Sequence, residues 1–194
     1  QQGWCDYLSP QLYWRIKSPQ SFSRLIAWWR SQGTRPVWPG IASARINSSE
    51  DPGRRSSEIA NQVSLTRTVG KNYVGHVFWS MKSLMTNKGG ISNDLVKKFY
   101  QEPALVPPMP WSSRKIPQTP NVLAKGSNGN LNIEWRSVPG CSQYAIQIRV
   151  GRTWRFIMAA RGAKVILKGM PDAIAVSAVD RYGNTSNPRV LARP

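Results

Sequence analysis

Three apolar runs in the first hundred residues have the length and composition of buried β-strands. They span residues 7–14, 37–43 and 73–81, and each is followed by a stretch in which apolar residues recur at helical spacing. Connections of about 20 to 30 residues between such strands are typical of parallel crossovers. The order strand, helix, strand, helix, strand, helix therefore predicts a parallel α/β arrangement for this part of the chain.

Start and stop signals bound the three predicted helices. The first is predicted to begin at Pro19 with Ser18 as its cap, and the second to follow Ser56 or Ser57. The third is predicted over residues 93–101 with Ser92 as its cap. The residues predicted to face inward are Phe22, Leu25, Ile26 and Trp29 in the first helix, Ile59, Val63 and Thr66 in the second, and Leu95, Val96 and Phe99 in the third.

The pattern changes in the second half of the chain. Residues 104–119 are rich in proline, which neither a helix nor a central strand accepts, so a linker or a wrapping segment is expected there. Short alternating strands follow, with a turn at Asn128-Gly129, and they predict a small antiparallel sandwich over residues 120–194. The strands are predicted at residues 131–135, 143–150, 153–159, 164–167 and 174–180.

Composition narrows the possible folds and partners. The chain of 194 residues is too short for a complete eight-fold β/α barrel. Its formal net charge of +18 attracts polyanions of many kinds. The two cysteines cannot form a disulfide framework or a thiolate metal site. No apolar run reaches the roughly 18 residues of a transmembrane helix, and no cofactor motif is present, so neither a membrane span, a metal nor a cofactor is expected.

Several ordered motifs resemble a known family. The runs DYLSPQLYWRIKSPQSFSRLIAWW, RPVWPGIASARI, GHVFWSMKSLM and ALVPPMPW resemble the C-terminal part of the glycosyl-hydrolase-like family 10, over roughly residues 4–112. The resemblance implies a TIM-barrel glycoside hydrolase-like protein of the bacterial cell envelope, often a periplasmic or outer-membrane lipoprotein, with peptidoglycan glycan strands as the expected substrate.

The resemblance also defines an architecture. Residues 1–103 would be the last three or so β/α units of an incomplete TIM barrel, and residues 104–119 a linker or wrapping segment. Residues 120–194 resemble a fibronectin type III-like sandwich through Trp135, Tyr144 and the run IAVSAVDRYGNTSNP. An incomplete barrel leaves unpaired strand edges, so the remaining barrel segment or another chain is an expected partner.

A barrel places its active site at the carboxyl ends of the strands. There, aromatic rings can stack on sugar rings, while amide, hydroxyl and guanidinium groups bind sugar hydroxyls. This position predicts recognition of a polysaccharide substrate. The predicted substrate-binding residues are Gln11, Tyr13, Trp14, Arg45, Trp79 and Ser80.

Hydrolysis of a glycosidic bond usually needs two carboxyl groups. Glu50 and Asp51 are the two acidic residues expected on the catalytic side, in the loop after the second strand. Adjacent acids in a loop rich in Gly, Pro and Ser are more often simply solvated. If the family's chemistry holds, the acid and base are expected on the missing strands. For His76, a core or hydrogen-bonded role is favoured over catalysis.

The predicted sandwich carries a dense share of the positive charge. Arg149, Arg152, Trp154 and Arg155 are predicted to form a basic aromatic surface that binds an anionic polymer, and Arg161, Lys164 and Lys168 extend it. A solvated charged face is an equally good interpretation.

Three functions remain open at this point. The first is part of a glycoside hydrolase-like protein acting on envelope glycan strands. The second is a carbohydrate- or anionic-polymer-binding protein without catalysis. The third is a basic nucleic-acid-binding protein. It is not favoured, because no RNP, KH or zinc-finger pattern is present.

Overall fold

The computed structural model describes residues 4–69 and 75–192. The chain divides into two compact units, Gln1–Gln101 and Glu102–Pro194. No helix among the described residues has the length and apolar character to cross a bilayer. The predicted domain boundaries at residues 103 and 119 stay predictions.

The described residues of the first unit form four helices and two short strands. The helices are α1 (Phe22–Ser31), α2 (Ser56–Val69), α3 (Met81–Met85) and α4 (Ile91–Lys98), and the strands are β1 (Gly40–Ile41) and β2 (Val77–Phe78). Short 3₁₀ turns cover Ser43–Arg45 and Lys88–Gly90.

The predicted parallel order of the first unit is confirmed. β1 pairs in parallel with β2, and the segment 8–11 forms parallel bridges from Leu8 to Val37 and from Gln11 to Gly40. The predicted strand lengths are wrong, because only these short stretches pair. Pro10 and Pro39 interrupt the ladder, since proline has no N–H to donate. Of the third predicted strand, residues 73 and 74 lie outside the described residues.

Helix boundaries differ from the prediction at two N-termini. α1 begins at Phe22, and Ser18 does not cap it because its hydroxyl donates to the Arg15 and Gln20 carbonyls. α4 begins at Ile91, one residue before the predicted cap, after Gly90 at a positive φ of 81°. The Asn87 side-chain oxygen accepts the Ser92 N–H at 2.9 Å.

One core holds the first unit together. α1, α2 and α4 bury one face each, and the predicted inward face of α4 is wrong at Val96, which is 57% exposed. Helix α3 was not predicted from the sequence. The buried core residues are Leu12, Phe22, Ile26, Ile41, Ile46, Ile59, Val63, Ile91 and Leu95.

The second unit is an antiparallel sandwich, as predicted. Its strands are β3 (Val122–Ser127), β4 (Asn130–Trp135), β5 (Cys141–Val150), β6 (Thr153–Arg161), β7 (Lys164–Lys168), β8 (Ala173–Asp180) and β9 (Arg189–Ala192). One sheet has the order β3-β4-β7 and the other β6-β5-β8-β9. The predicted turn at Asn128-Gly129 joins β3 to β4, with positive φ at both residues. β3 and β9 were not predicted, because most of their residues are exposed and their apolar signal is weak.

The sandwich core lies between the two sheets. Ile133 and Ile146 are fully buried, and Trp135 packs against Tyr144 with ring centroids 5.0 Å apart. The proline-rich segment wraps against this unit: the Met109 N–H donates to the Tyr182 carbonyl at 2.8 Å.

Candidate functional site

The carboxyl ends of the three parallel segments meet around one small pocket. Tyr13 follows the first segment, Arg45 lies in the turn after β1, and Trp79 follows β2. The pocket has a volume of about 160 Å³ and is lined by Tyr13, Ala42, Ala44, Arg45, Ser48, Glu50 and Trp79. Four residues that the sequence placed on this side of the fold, Tyr13, Arg45, Glu50 and Trp79, therefore share one cavity.

Arg45 is the central polar group of the pocket. Its Nε lies 3.2 Å from Glu50 Oε2, and its guanidinium carbon lies 5.8 Å from the centre of the Tyr13 ring. The Trp79 side chain is 61% exposed, so its ring is available to a ligand. Two aromatic rings with a guanidinium and a carboxylate match the groups that bind sugar rings and their hydroxyls.

Buried serines hold the segment that carries Trp79. The Ser43 hydroxyl donates to the Trp79 carbonyl at 3.1 Å and lies 2.7 Å from the Ser83 hydroxyl. Ser83 in turn donates to the Ser80 carbonyl at 2.7 Å. Because Ser43 and Ser83 are both buried, these bonds fix the backbone at residues 79–80 and with it the position of the Trp79 ring.

The other predicted binding residues do not line this pocket. Gln11 is exposed beside its bridge to Gly40. The Trp14 carbonyl accepts a hydrogen bond from Gln62 Nε2 at 2.9 Å. Ser80 precedes α3 as its N-cap residue without a side-chain capping bond. The predicted binding set is thus brought together only in part.

Asp51 has a different environment from its neighbour Glu50. Its carboxylate accepts hydrogen bonds from Arg15 Nε at 3.0 Å and from Arg54 Nε at 2.5 Å. Burial favours the neutral acid, but the hydrogen bond from Arg15 and the charge and hydrogen bond of Arg54 outweigh burial and lower the pKa of Asp51. A carboxylate held ionised between two guanidinium groups organises the loop.

Arg54 is a buried residue that the sequence analysis missed. It is 2% exposed, and besides Asp51 it donates through Nη2 to the Tyr13 carbonyl at 2.9 Å. Its Nη1 has no hydrogen-bond partner among the described residues. Its burial could not be predicted from the sequence, because Arg54 stands in a Gly-Arg-Arg-Ser-Ser run that is typical of a solvated loop.

Helix α2 also holds the loop that follows the first segment. Glu58 Oε1 accepts the Ile16 N–H at 2.7 Å and a bond from Gln62 Nε2 at 3.0 Å. Gln62 is fully buried. The four-residue spacing of Glu58 and Gln62 places both on one face of the helix, and this spacing is the signal that could have identified them. Together with Arg54, they position Tyr13 over the pocket.

His76 does not line the pocket. It precedes β2 and shares a short hydrogen bond with the Tyr100 hydroxyl, in agreement with the predicted hydrogen-bonded role. Burial, together with the charge of Arg67, lowers the pKa of His76 to about 4. Burial raises the pKa of Tyr100. The pair is therefore neutral near pH 7.

One carboxylate lines the pocket among the described residues. Glu50 is that residue, whereas Asp51 and Glu58 are engaged as described above and Asp94 accepts a hydrogen bond from the Ser56 hydroxyl at 2.9 Å. Hydrolysis by two carboxyl groups would need a second one across the sugar. Within residues 4–69 and 75–192, no group of three or more His, Cys, Asp and Glu side chains converges to hold a metal ion.

The predicted basic aromatic surface of the sandwich is divided between two faces. Arg149 and Trp154 are register partners in the β5–β6 hairpin, and the Arg149 guanidinium carbon lies 5.8 Å from the Trp154 ring centre. Arg152 is in the hairpin turn. Arg155 follows Trp154, so strand alternation directs it to the other face, where its Nε lies 2.6 Å from Glu102 Oε1. The four side chains are therefore divided between two faces, and their role in binding an anionic polymer stays a prediction.

Comparison with known proteins relates the chain to glycosyl hydrolases. No family model matches. The chain is 32% identical over 174 residues to the glycosyl hydrolase YngK of Bacillus subtilis (strain 168), a match that covers 83% of this chain and 34% of YngK.

Two solved structures that align with this chain have a lower sequence identity to it than YngK has. The structure of FN3tt mut aligns with a TM-score of 0.36 and 21% identity over 41% of this chain and 96% of its own. The glycoside hydrolase domain of Endo-D from Streptococcus pneumoniae R6 aligns with a TM-score of 0.36 and 14% identity over 41% of this chain and 15% of its own. The chain is homologous to a glycosyl hydrolase and spans about a third of that relative's length.

Proposed function

We propose that this chain is part of a glycoside hydrolase-like protein that acts on glycan strands of the bacterial cell envelope, with peptidoglycan as the substrate. The observation that carries the proposal is the convergence of Tyr13, Arg45, Glu50 and Trp79 at the carboxyl ends of three parallel segments. The similarity to a glycosyl hydrolase supports it independently. Location in the envelope rests on the family resemblance.

The geometry suits a sugar chain better than a compact charged metabolite. The pocket is shallow and small, so it would hold one ring, while the exposed Trp79 ring offers a stacking surface beside it. Arg45 and Glu50 would bind hydroxyl and acetamido groups. In this proposal, the residues that line the pocket form a subsite for the glycan, and Tyr13, Arg45, Glu50 and Trp79 supply its ring and polar contacts.

A closed barrel would complete this site. In the described part of the chain, the segment 8–11 pairs on one side only, and so does β2. Unpaired parallel edges are costly unless further strands cover them. Large apolar side chains on these segments or within three residues of them are exposed, namely Tyr7, Leu8, Val77, Trp79 and Met81. We propose that further barrel strands, from the same protein or from another chain, pair there and supply a catalytic carboxyl group.

Carbohydrate binding without cleavage is the second candidate. It is favoured by the single carboxylate in the pocket, which is paired with Arg45. A site of this kind can hold a sugar but has no second carboxyl group to activate water.

Release of soluble fragments from purified glycan strands tests the proposal. The protein, expressed from the complete reading frame that contains this chain, is expected to release fragments that chromatography resolves. Trp79→Ala should slow this release by about tenfold, because a stacking contact is lost. Strands that are retained by the folded protein without fragments would support the second candidate. If the folded protein neither retains strands nor releases fragments, both candidate functions are contradicted.

A further inference from the structure

The outer face of the sheet β6-β5-β8-β9 carries a cluster of aromatic and polar side chains. In the β5–β6 hairpin, Arg149 is opposite Trp154. In the next pair on the same face, Gln147 is opposite Phe156. Ile146, which precedes Gln147 on β5, is buried in the core between the two sheets. Because successive strand residues point to opposite faces, the four paired side chains lie together on the outer face.

The two aromatic rings of β6 are not part of the core. Trp154 is 40% exposed and Phe156 is partly exposed, and neither belongs to the cluster of side chains that packs between the sheets. Strand geometry places their Cα atoms about 7 Å apart. Two neighbouring rings that are open to solvent on one side offer two consecutive stacking surfaces.

Amide groups lie beside these rings. Gln147 is exposed, and Gln143 lies two outward positions away on the same strand. No hydrogen bond within the described residues engages either side-chain amide. Gln143 also lines a cavity of about 220 Å³ beside Val106 and Pro107 of the proline-rich segment. Because an amide both donates and accepts hydrogen bonds, these groups match the hydroxyl and acetamido groups of a sugar.

The charge on this face is positive. Arg149 lies at one end, with its guanidinium carbon 5.8 Å from the Trp154 ring centre, and Arg161 is opposite Gln143 at the other end. Strand geometry places the two arginines about 20 Å apart. Among the described residues of the four strands, no outward position holds an Asp or Glu. The face is therefore complementary to a ligand with spaced negative charges.

Arg149 also has an unsatisfied donor. Its Nε atom is buried and has no hydrogen-bond partner among the described residues. Buried donors in folded proteins are nearly always paired. A carboxylate bound beside this guanidinium would supply an acceptor, and the two groups can form paired hydrogen bonds.

Single-stranded nucleic acid is the other class of ligand that combines rings with cations. Proteins bind it in a positively charged groove that follows the phosphates along the strand. On this face the cations lie at the two ends, whereas Gln147, Ala145 and Ala175 occupy the middle. This distribution favours a ligand with neutral polar groups along its length and charges at intervals.

We propose that the outer face of the sheet β6-β5-β8-β9 binds a glycan chain that carries carboxylate groups. The rings stack on sugars, the amides bind hydroxyl or acetamido groups, and the guanidinium groups bind the carboxylates. The residues are, in that order, Trp154 and Phe156, Gln143 and Gln147, and Arg149 and Arg161. This site is separate from the pocket in the first unit, and the proposal does not depend on the function proposed for that pocket.

Titration with hyaluronan oligosaccharides tests the proposal, because these chains alternate N-acetylglucosamine with a carboxylate sugar. The full chain is used with Trp79→Ala, which weakens the pocket of the first unit, so that binding reports on the sandwich. In this background, Trp154→Ala removes a ring of the face, and the control Trp28→Ala removes an exposed ring of α1. Arg161→Gln removes a cation of the face, and the control Arg136→Gln removes an exposed cation that follows β4 in the other sheet.

Trp154→Ala should weaken binding about tenfold through loss of a stacking contact. Arg161→Gln should weaken it about fivefold through loss of a charge-assisted hydrogen bond. Both controls should stay within about twofold of the background chain, and circular dichroism verifies that each variant is folded. Equal losses in a face variant and its control would overturn the proposal.

Oligo-dT of equal charge distinguishes the two classes of ligand. It should bind more weakly than hyaluronan at the same salt concentration. Tighter binding of oligo-dT would overturn the proposal in favour of a nucleic acid. Absence of hyaluronan binding by the folded chain would also overturn it.

Discussion

Asp51→Asn is expected to lower the free energy of unfolding of the first unit by about 3 kcal/mol. The Arg54 side chain is 1% exposed and that of Asp51 is 16% exposed, so the substitution leaves a guanidinium buried without a countercharge. Removing one partner of a buried ion pair costs more than the pair itself contributes, because the remaining charge stays desolvated. The Arg15 pairing is lost at the same time.

The adjacent residue supplies a matched control. Glu50→Gln removes the same charge from the same loop, but the Glu50 side chain is 70% exposed and its partner Arg45 is 35% exposed. The expected loss of stability is therefore below about 1 kcal/mol. Urea unfolding monitored by the helical circular dichroism signal reports on the first unit, which contains every described helix.

These two variants also distinguish between Glu50 and Asp51, the two carboxylates that the sequence predicts on the catalytic side. If Asp51→Asn unfolds as the unmodified protein does but abolishes release of glycan fragments, the carboxylate of Asp51 has a chemical role and the structural account of it is wrong. If Asp51→Asn is destabilised and Glu50→Gln alters glycan binding, Glu50 is the pocket carboxylate and Asp51 organises the loop.

Acidification is expected to destabilise the first unit through His76. The pKa of His76 is about 4 in the folded chain, against 6.5 for an unperturbed histidine. Between these two values the unfolded chain binds a proton that the folded chain excludes, so stability falls as the pH decreases through this window. The loss should be about 2 kcal/mol at pH 5 and should approach about 3 kcal/mol near pH 4, since one pKa unit corresponds to about 1.4 kcal/mol.

A comparison with His76→Gln isolates this effect. His76 is the single histidine of the chain, so the variant removes all histidine titration and leaves the carboxylates unchanged. The difference in unfolding free energy between the two proteins should shift with pH by the amounts given above. A difference that stays constant from pH 7.5 to pH 4.5 would show that His76 is protonated as readily in the folded chain as in the unfolded chain.

The parallel order of the first unit could be predicted from the sequence because it depends on connection length. Residues 8, 37 and 77 lie about 30 to 40 residues apart, too far for hairpins and sufficient for crossovers. Strand length could not be predicted in the same way. Apolar runs continue through Pro10 and Pro39, whereas backbone pairing is confined to short stretches around them.

Part of the pocket could be predicted because it depends on where each strand segment ends. Tyr13, Arg45 and Trp79 follow segment ends, a position that can be read from the sequence once the segments are identified. Arg54 and Gln62 support the pocket from buried positions. The sequence alone does not indicate whether a polar residue in a loop or on a helix is buried. Likewise, strand alternation and sheet order, which divide the basic residues of the sandwich between faces, depend on pairing that the charge pattern does not encode.

Titration with neutral chitooligosaccharides tests the central claim, that the pocket of the first unit binds a glycan. Trp79→Ala should weaken binding by about tenfold, through loss of a stacking contact of about 1.4 kcal/mol. Trp28→Ala removes another exposed indole ring, on α1, and should leave binding within about twofold. Equal effects of the two variants, or no binding of the neutral sugar by the folded chain, would contradict the claim.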